Sequence, residues 1–105
     1  MAQRHIGPVS PERDELGFWT HPALLRWNLE TAAQITWWLR SHELECWVMC
    51  MRDEAPELCL ASADDEHWNA QEWIPEPPPG EGWFLGSIHD PGDGPVCFWL
   101  RIRHD

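Results

Sequence analysis

Hydrophobic positions along this 105-residue chain change their period twice, and each change marks a boundary between predicted elements. Residues 1–15 are polar, contain Pro8 and Pro11, and sustain no period. They predict a flexible N-terminal arm ahead of a single domain over residues 16–105. Phe18 and Trp19 then precede Thr20, an N-cap residue type, and Pro22 suits a first helical turn. Beyond it Leu25, Leu29, Ala32, Thr36 and Leu39 recur at steps of four and three, and Leu24, Trp27, Ile35 and Trp38 widen the stripe. That spacing predicts one amphipathic helix over residues 21–41. A break at Asn28, itself a good N-cap, is the alternative, with a shorter helix starting at Leu29.

After His42 the period falls to two. Residues 45–52 and 57–63 read as strands around a turn at Asp53, Glu54, Ala55 and Pro56. Pairing Arg52 with Glu57 sets Cys50 against Cys59, Met49 against Leu60 and Met51 against Leu58. Both faces of that hairpin are apolar, so each needs a cover. The helix supplies one, and another segment or another chain must supply the second. Residues 83–89 and 96–103 form a second predicted hairpin around Pro91, Gly92, Asp93 and Gly94. Pairing Asp90 with Pro95 places Trp83, Leu85, Val96, Phe98, Leu100 and Ile102 on one face and sets Gly86 opposite Trp99. Between the hairpins, residues 64–82 carry Pro75, Pro77, Pro78 and Pro79 and read as a Pro-rich acidic loop. The fold class is α+β: one main helix packed on an antiparallel sheet of about four strands.

Charge sharpens this outline because it is unevenly placed. The net charge is −11, and residues 41–82 carry eleven acids against Arg52 alone. Residues 1–40 balance to zero, and residues 83–105 to −1. Almost the whole excess lies between the end of the helix and the last hairpin. Asp53, Glu54, Asp64, Asp65, Glu66, Glu72, Glu76 and Glu81 fall in turns or the loop, where they can gather on one rim. Solubility alone is one reading of such a rim, and recruitment of a basic surface is the other.

Nine tryptophans are the strongest compositional departure. Nine indoles at about 200 Å² each need about 1,800 Å², whereas folding hides roughly 12,000 Å², so the core could hold them all. Helix or strand periodicity accounts for Trp27, Trp38, Trp47, Trp83 and Trp99. Trp68 and Trp73 remain inside the acidic loop, where aromatic anchors within a charged rim make a recognisable interface. Pinning the loop to the sheet is their other reading.

Chemistry is excluded more readily than found. All seven basic residues are Arg, so there is neither a Schiff-base lysine nor a phosphate-loop lysine, and no Tyr offers a phenol. Cys46, Cys50, Cys59 and Cys97 invite a zinc reading, but Cys46 and Cys50 fall mid-strand rather than at a turn. Buried reduced thiols are the expectation, with no metal and no cofactor. His89 and Asp90 beside Asp93 are explained by the turn they occupy. Pro75 to Pro78 fits a P-x-x-P pattern, but its flanks are acidic, and a stiff connector is the better reading. No nucleophile elbow, phosphate loop or dinucleotide fingerprint is present, so no enzymatic activity is expected. The acid excess argues against direct nucleic-acid binding. No apolar run approaches a membrane span and residues 1–11 lack a signal-peptide core, so a cytoplasmic location is expected.

Residues 76–90 (Glu-Pro-Pro-Pro-Gly-Glu-Gly-Trp-Phe-Leu-Gly-Ser-Ile-His-Asp) and 93–101 (Asp-Gly-Pro-Val-Cys-Phe-Trp-Leu-Arg) resemble the C-terminal part of small uncharacterised phage and prophage proteins. The resemblance covers about a quarter of the chain and carries no site residues with it. It implies a mobile-element protein aimed at a host machine. The resulting expectation is a non-enzymatic acidic module that binds a basic, nucleic-acid-handling host protein and blocks or regulates it, by nucleic-acid mimicry in one version. Trp68 and Trp73 would be its anchors, and Asp53, Glu54, Asp64, Asp65, Glu66 and Glu72 its charged rim. The alternatives are a homodimer through an apolar sheet face, serving a structural or accessory role, and a small-ligand-binding domain walled by indoles.

Overall fold

A computed structural model describes residues 6–27, 31–62, 68–92 and 94–103. The architecture is α+β, with four strands and four short helices among these residues. In chain order they are β1 (Trp19–Thr20), α1 (Pro22–Trp27), α2 (Ala32–Ser41), β2 (Leu44–Cys50), α3 (Met51–Glu54), α4 (Pro56–Ser62), β3 (Phe84–His89) and β4 (Val96–Ile102). The sheet is antiparallel throughout, in the order β1-β3-β4-β2.

The single helix over residues 21–41 is replaced by two. His21, rather than Thr20, caps α1: its Nδ1 accepts from the Ala23 N–H at 3.0 Å. That leaves the ring proton on Nε2, which donates to the Gly7 carbonyl at 2.8 Å. Thr31, rather than Asn28, caps α2 through a reciprocal box, its hydroxyl accepting from the Gln34 N–H while the Gln34 side chain accepts from the Thr31 N–H. Two bonds satisfy two otherwise orphaned donors, which makes residue 31 a strong helix start. The break foreseen at Asn28 lies outside the described residues.

The hairpin over residues 45–63 does not form. β2 instead pairs with β4 along its whole length, from Leu44 opposite Ile102 to Cys50 opposite Val96. Residues 53 and 54 end α3, and residues 57–62 belong to α4, with Pro56 at its first position. Alternation in this stretch is also compatible with a helix, because Ala55, Leu58 and Cys59 sit three and four apart and turn to the same core. Cys50 and Cys59 are therefore not cross-strand partners.

The last hairpin forms with the expected register only near its turn: His89 faces Val96, Ile88 faces Cys97 and Ser87 faces Phe98. Beyond Ser87 a bulge at Gly86 shifts the pairing, so Leu85, not Gly86, lies opposite Trp99, and Phe84 lies opposite Leu100. The bulge turns Leu85 and Ile88 to one face and Phe84 to the other. A Cβ on Gly86 would stand 2.8 Å from Leu100 Cγ and 3.1 Å from the Phe98 carbonyl, so glycine is what lets Leu100 pack there.

The sheet is consequently apolar on both faces, and the chain covers both. On one face Leu44, Phe84 and Leu100 pack with Trp38 of α2, flanked by Ala23, Leu24 and Leu39. On the other, Ile88 and Cys97 pack with Met51, Ala55, Ala70 and Trp73, flanked by Met49, Leu58, Cys59 and Trp99. The second cover is thus α3, α4 and the segment that begins at Trp68.

Candidate functional site

The acidic side of the molecule is assembled on that second cover. α3 is four residues long, with Met51 at its start fully buried in the core. α4 starts one residue past Ala55, whose N–H donates back to the Met51 carbonyl at 2.7 Å. Each of these helices buries one side and sends its acids outward, so Asp53, Glu54 and Glu57 are exposed.

Opposite them runs the segment 68–76, held by the chain's N-terminal part. The Ala70 N–H donates to the Leu16 carbonyl at 2.7 Å, and the Arg13 guanidinium donates to the Ala70 carbonyl and to the Gly17 carbonyl. Asp14 Oδ1 accepts from the Leu16 and Phe18 N–H groups and shapes the intervening loop. Residues 13 and 14, assigned from sequence to the arm, are thus tied into the domain. Residues 1–5 lie outside the described residues. Partial burial lowers the Arg13 pKa, without threatening its charge at neutral pH.

Between these two walls lies an open cavity of about 360 Å³. Glu54 and Glu57 line it from the helical side, Glu72 and Glu76 from the segment, and Ala55, Leu58, Trp73, Ile74 and Pro75 supply its apolar surface. No basic side chain is among the lining residues. The volume lies at the small end of ligand-sized cavities, roughly 300–1,000 Å³. Four glutamates around a mainly polar surface can accept hydrogen bonds and balance positive charge. That is the chemistry that suits the head group of an arginine or lysine side chain.

The structure distributes the expected site residues unevenly. Glu54, Glu72 and Trp73 meet in the cavity. Trp73 is only 2% exposed, so it forms the cavity's base rather than projecting to a partner. Asp53 is exposed on α3 but is not part of the lining. Trp68 is half-buried against the same core, its ring lying where a Cβ on Gly94 would meet it at 3.8 Å. Asp64, Asp65 and Glu66 lie outside the described residues. Glu57, assigned from sequence to a strand, is the lining acid that sequence reasoning missed, whereas Glu76 was placed with the loop acids of the rim. A helical reading from Pro56, with Glu57 in its first turn, was the available signal for Glu57.

The thiols show no shared site. All four are free, and no group of three or more His, Cys, Asp or Glu side chains among the described residues is placed to hold a metal. Burial pushes Cys97 up to about 12 and Cys46 up to about 11. Burial also lowers His89, which accepts or donates at 2.9 Å to Ser87 Oγ and meets Phe98 edge-on. No helix among the described residues is long and apolar enough to cross a membrane. No family model, curated protein or solved structure matches the chain.

Proposed function

We propose that the protein is a non-enzymatic acidic interaction module whose cavity receives a basic side chain of a partner protein. The observation that carries this reading is the convergence of Glu54, Glu57, Glu72 and Glu76 on one cavity with no basic side chain among its lining residues. The surrounding charge of residues 41–82 would steer a basic surface toward it. A nucleic-acid-handling host protein fits best, because its phosphate-binding arginines and lysines are an exposed basic surface that carboxylates can imitate. The resemblance of residues 76–101 to phage and prophage proteins supports a host protein as the target.

Affinity capture from a host lysate, at low and high salt, tests the reading. Each partly exposed charge pair contributes about 0.5 kcal/mol, so replacing all four glutamates by glutamine should weaken binding about 30-fold. The captured protein should be basic and released at high salt. A partner held equally by the chain with all four replaced, or indifferent to salt, would sink the proposal.

A further inference from the structure

The sheet has two edges of very different character. β1 closes one side with only two residues, Trp19–Thr20. β2 lies at the other edge and is seven residues long. Long edges are ordinarily blunted by lysine, proline, a bulge or an inward-facing charge. The sequence of β2, Leu-Glu-Cys-Trp-Val-Met-Cys, contains none of the first two, and its ladder with β4 has no bulge. Its one charge, Glu45, is engaged across the ladder by Arg101, which also lies over the Trp83 ring at 4.2 Å. Trp47 is 47% and Val48 53% exposed.

The hydrogen-bond parity of β2 can be read from its ends. The Arg103 N–H donates to the Glu43 carbonyl and the Met51 N–H donates to the Pro95 carbonyl. Antiparallel ladders alternate bonded and non-bonded pairs, so Glu45, Trp47 and Met49 direct their backbone groups to β4. Leu44, Cys46, Val48 and Cys50 direct theirs to the open side. Among the described residues, no backbone hydrogen bond reaches that side.

We propose that this edge pairs with the same edge of a second copy, antiparallel, about a two-fold axis at Trp47. Full overlap of two seven-residue strands centres on Trp47, and the parity then fits without adjustment. Leu44 meets Cys50 and Cys46 meets Val48 as bonded pairs, twice each, making about eight inter-chain hydrogen bonds. Trp47 meets its own copy as a non-bonded pair, where Cα atoms approach to about 4.5 Å and side chains are closest. Each Trp47 already meets Trp83 edge-on at 6.3 Å, so four indoles would line one face of an eight-stranded sheet. Glu45 falls opposite Met49 rather than its own copy, and no like charges oppose across the ladder.

Area and charge set the strength. An edge about 24 Å long and about 10 Å thick, with the exposed half of Trp47, hides roughly 350 Å² per copy. Twice that is below the approximately 1,200 Å² of a standard interface, so the dimer is weak and reversible. Each copy carries −11, so added salt tightens the dimer by screening repulsion, the opposite of its effect on a basic partner. Failure of this inference is therefore distinct from failure of the cavity reading.

Sedimentation of the full chain from about 1 to about 300 μM, at low and high salt, tests it, a range suited to a weak, reversible dimer. The expected result is a monomer–dimer equilibrium strengthened by salt. Val48→Pro removes an N–H that points only to the open edge, and edge strands tolerate proline there. Val48→Lys keeps the N–H but places a charge beside the two-fold. Both should weaken dimerisation more than tenfold. If Val48→Pro loses its fold, Val48→Lys decides alone. A chain monomeric throughout that range, or a dimer unchanged by Val48→Lys, overturns the proposal.

Discussion

Gly17 offers a test of how the base of the acidic cavity is held. Its φ is +86°, and a Cβ there would lie 2.5 Å from the Ala70 carbonyl carbon and from the Gln71 nitrogen. These are backbone atoms, so no side-chain rotation relieves the clash. Gly17→Ala therefore carries two penalties. The left-handed conformation costs about 1 kcal/mol for alanine. Separating the two segments also strains or breaks the bond from the Ala70 N–H to Leu16 and the bond from Arg13 to the Ala70 carbonyl. Those are worth about 1 kcal/mol each once solvent access to Arg13 is allowed for. The total is about 3 kcal/mol, a large share of the roughly 5–15 kcal/mol typical of a domain. Gly82 is the internal control: its φ is +84°, but nothing lies within 4 Å of its Cβ position. Gly82→Ala should cost only the conformational term, about 1 kcal/mol. Urea unfolding followed by tryptophan fluorescence measures both, and Gly17→Ala should lower the midpoint by far more than Gly82→Ala at unchanged slope. Equal losses, within about 0.5 kcal/mol, would show that the contact with Ala70 and Gln71 does not constrain the fold.

Thr31→Ala removes the reciprocal cap of α2 and should cost about 1 kcal/mol, lowering Tm by about 5 °C in a thermal melt; Thr31→Asn should restore most of it. Burial raises the Cys97 and Cys46 thiols above their ordinary 9.0, to about 12 and about 11. The folded chain then keeps protons that the unfolded chain releases, so this contribution is whole below pH 9 and fades as pH rises toward 12. Unfolding measured from pH 8.5 to 10.5 should lose stability at up to about 1.4 kcal/mol per pH unit for each thiol, and Cys97→Ala should make the slope shallower. An unchanged slope would remove Cys97 from the account.

Some of this molecule was legible in its residues because the information is local. Pro91, Gly92 and Gly94 mark the last turn, and Asp90 Oδ1 accepts from the Gly92 and Gly94 N–H groups as a turn-forming aspartate should. The register nearest that turn followed directly. The gathering of acids between residues 41 and 82 was equally plain, as was the α+β class. Glu54, Glu72 and Trp73, expected from the sequence as interaction residues, line one and the same cavity.

What the sequence left open depends on contacts between distant segments. Residues 57–62 alternate well enough for a strand and space well enough for a helix, and the helix is the form in which Leu58 and Cys59 join Ala55 against the distant core residues Ile88 and Cys97. The bulge at Gly86 exists because Leu100 needs the space, a fact of packing that no local pattern encodes. The same docking turned Trp73 from an expected anchor into the base of a cavity, and brought Glu57 and Glu76 to Glu54 and Glu72. Local pattern determined the last turn and the sign of the surface. Which face each apolar residue covers, and hence where the carboxylates converge, was decided by tertiary packing, because burial is shared between segments and belongs to none of them alone.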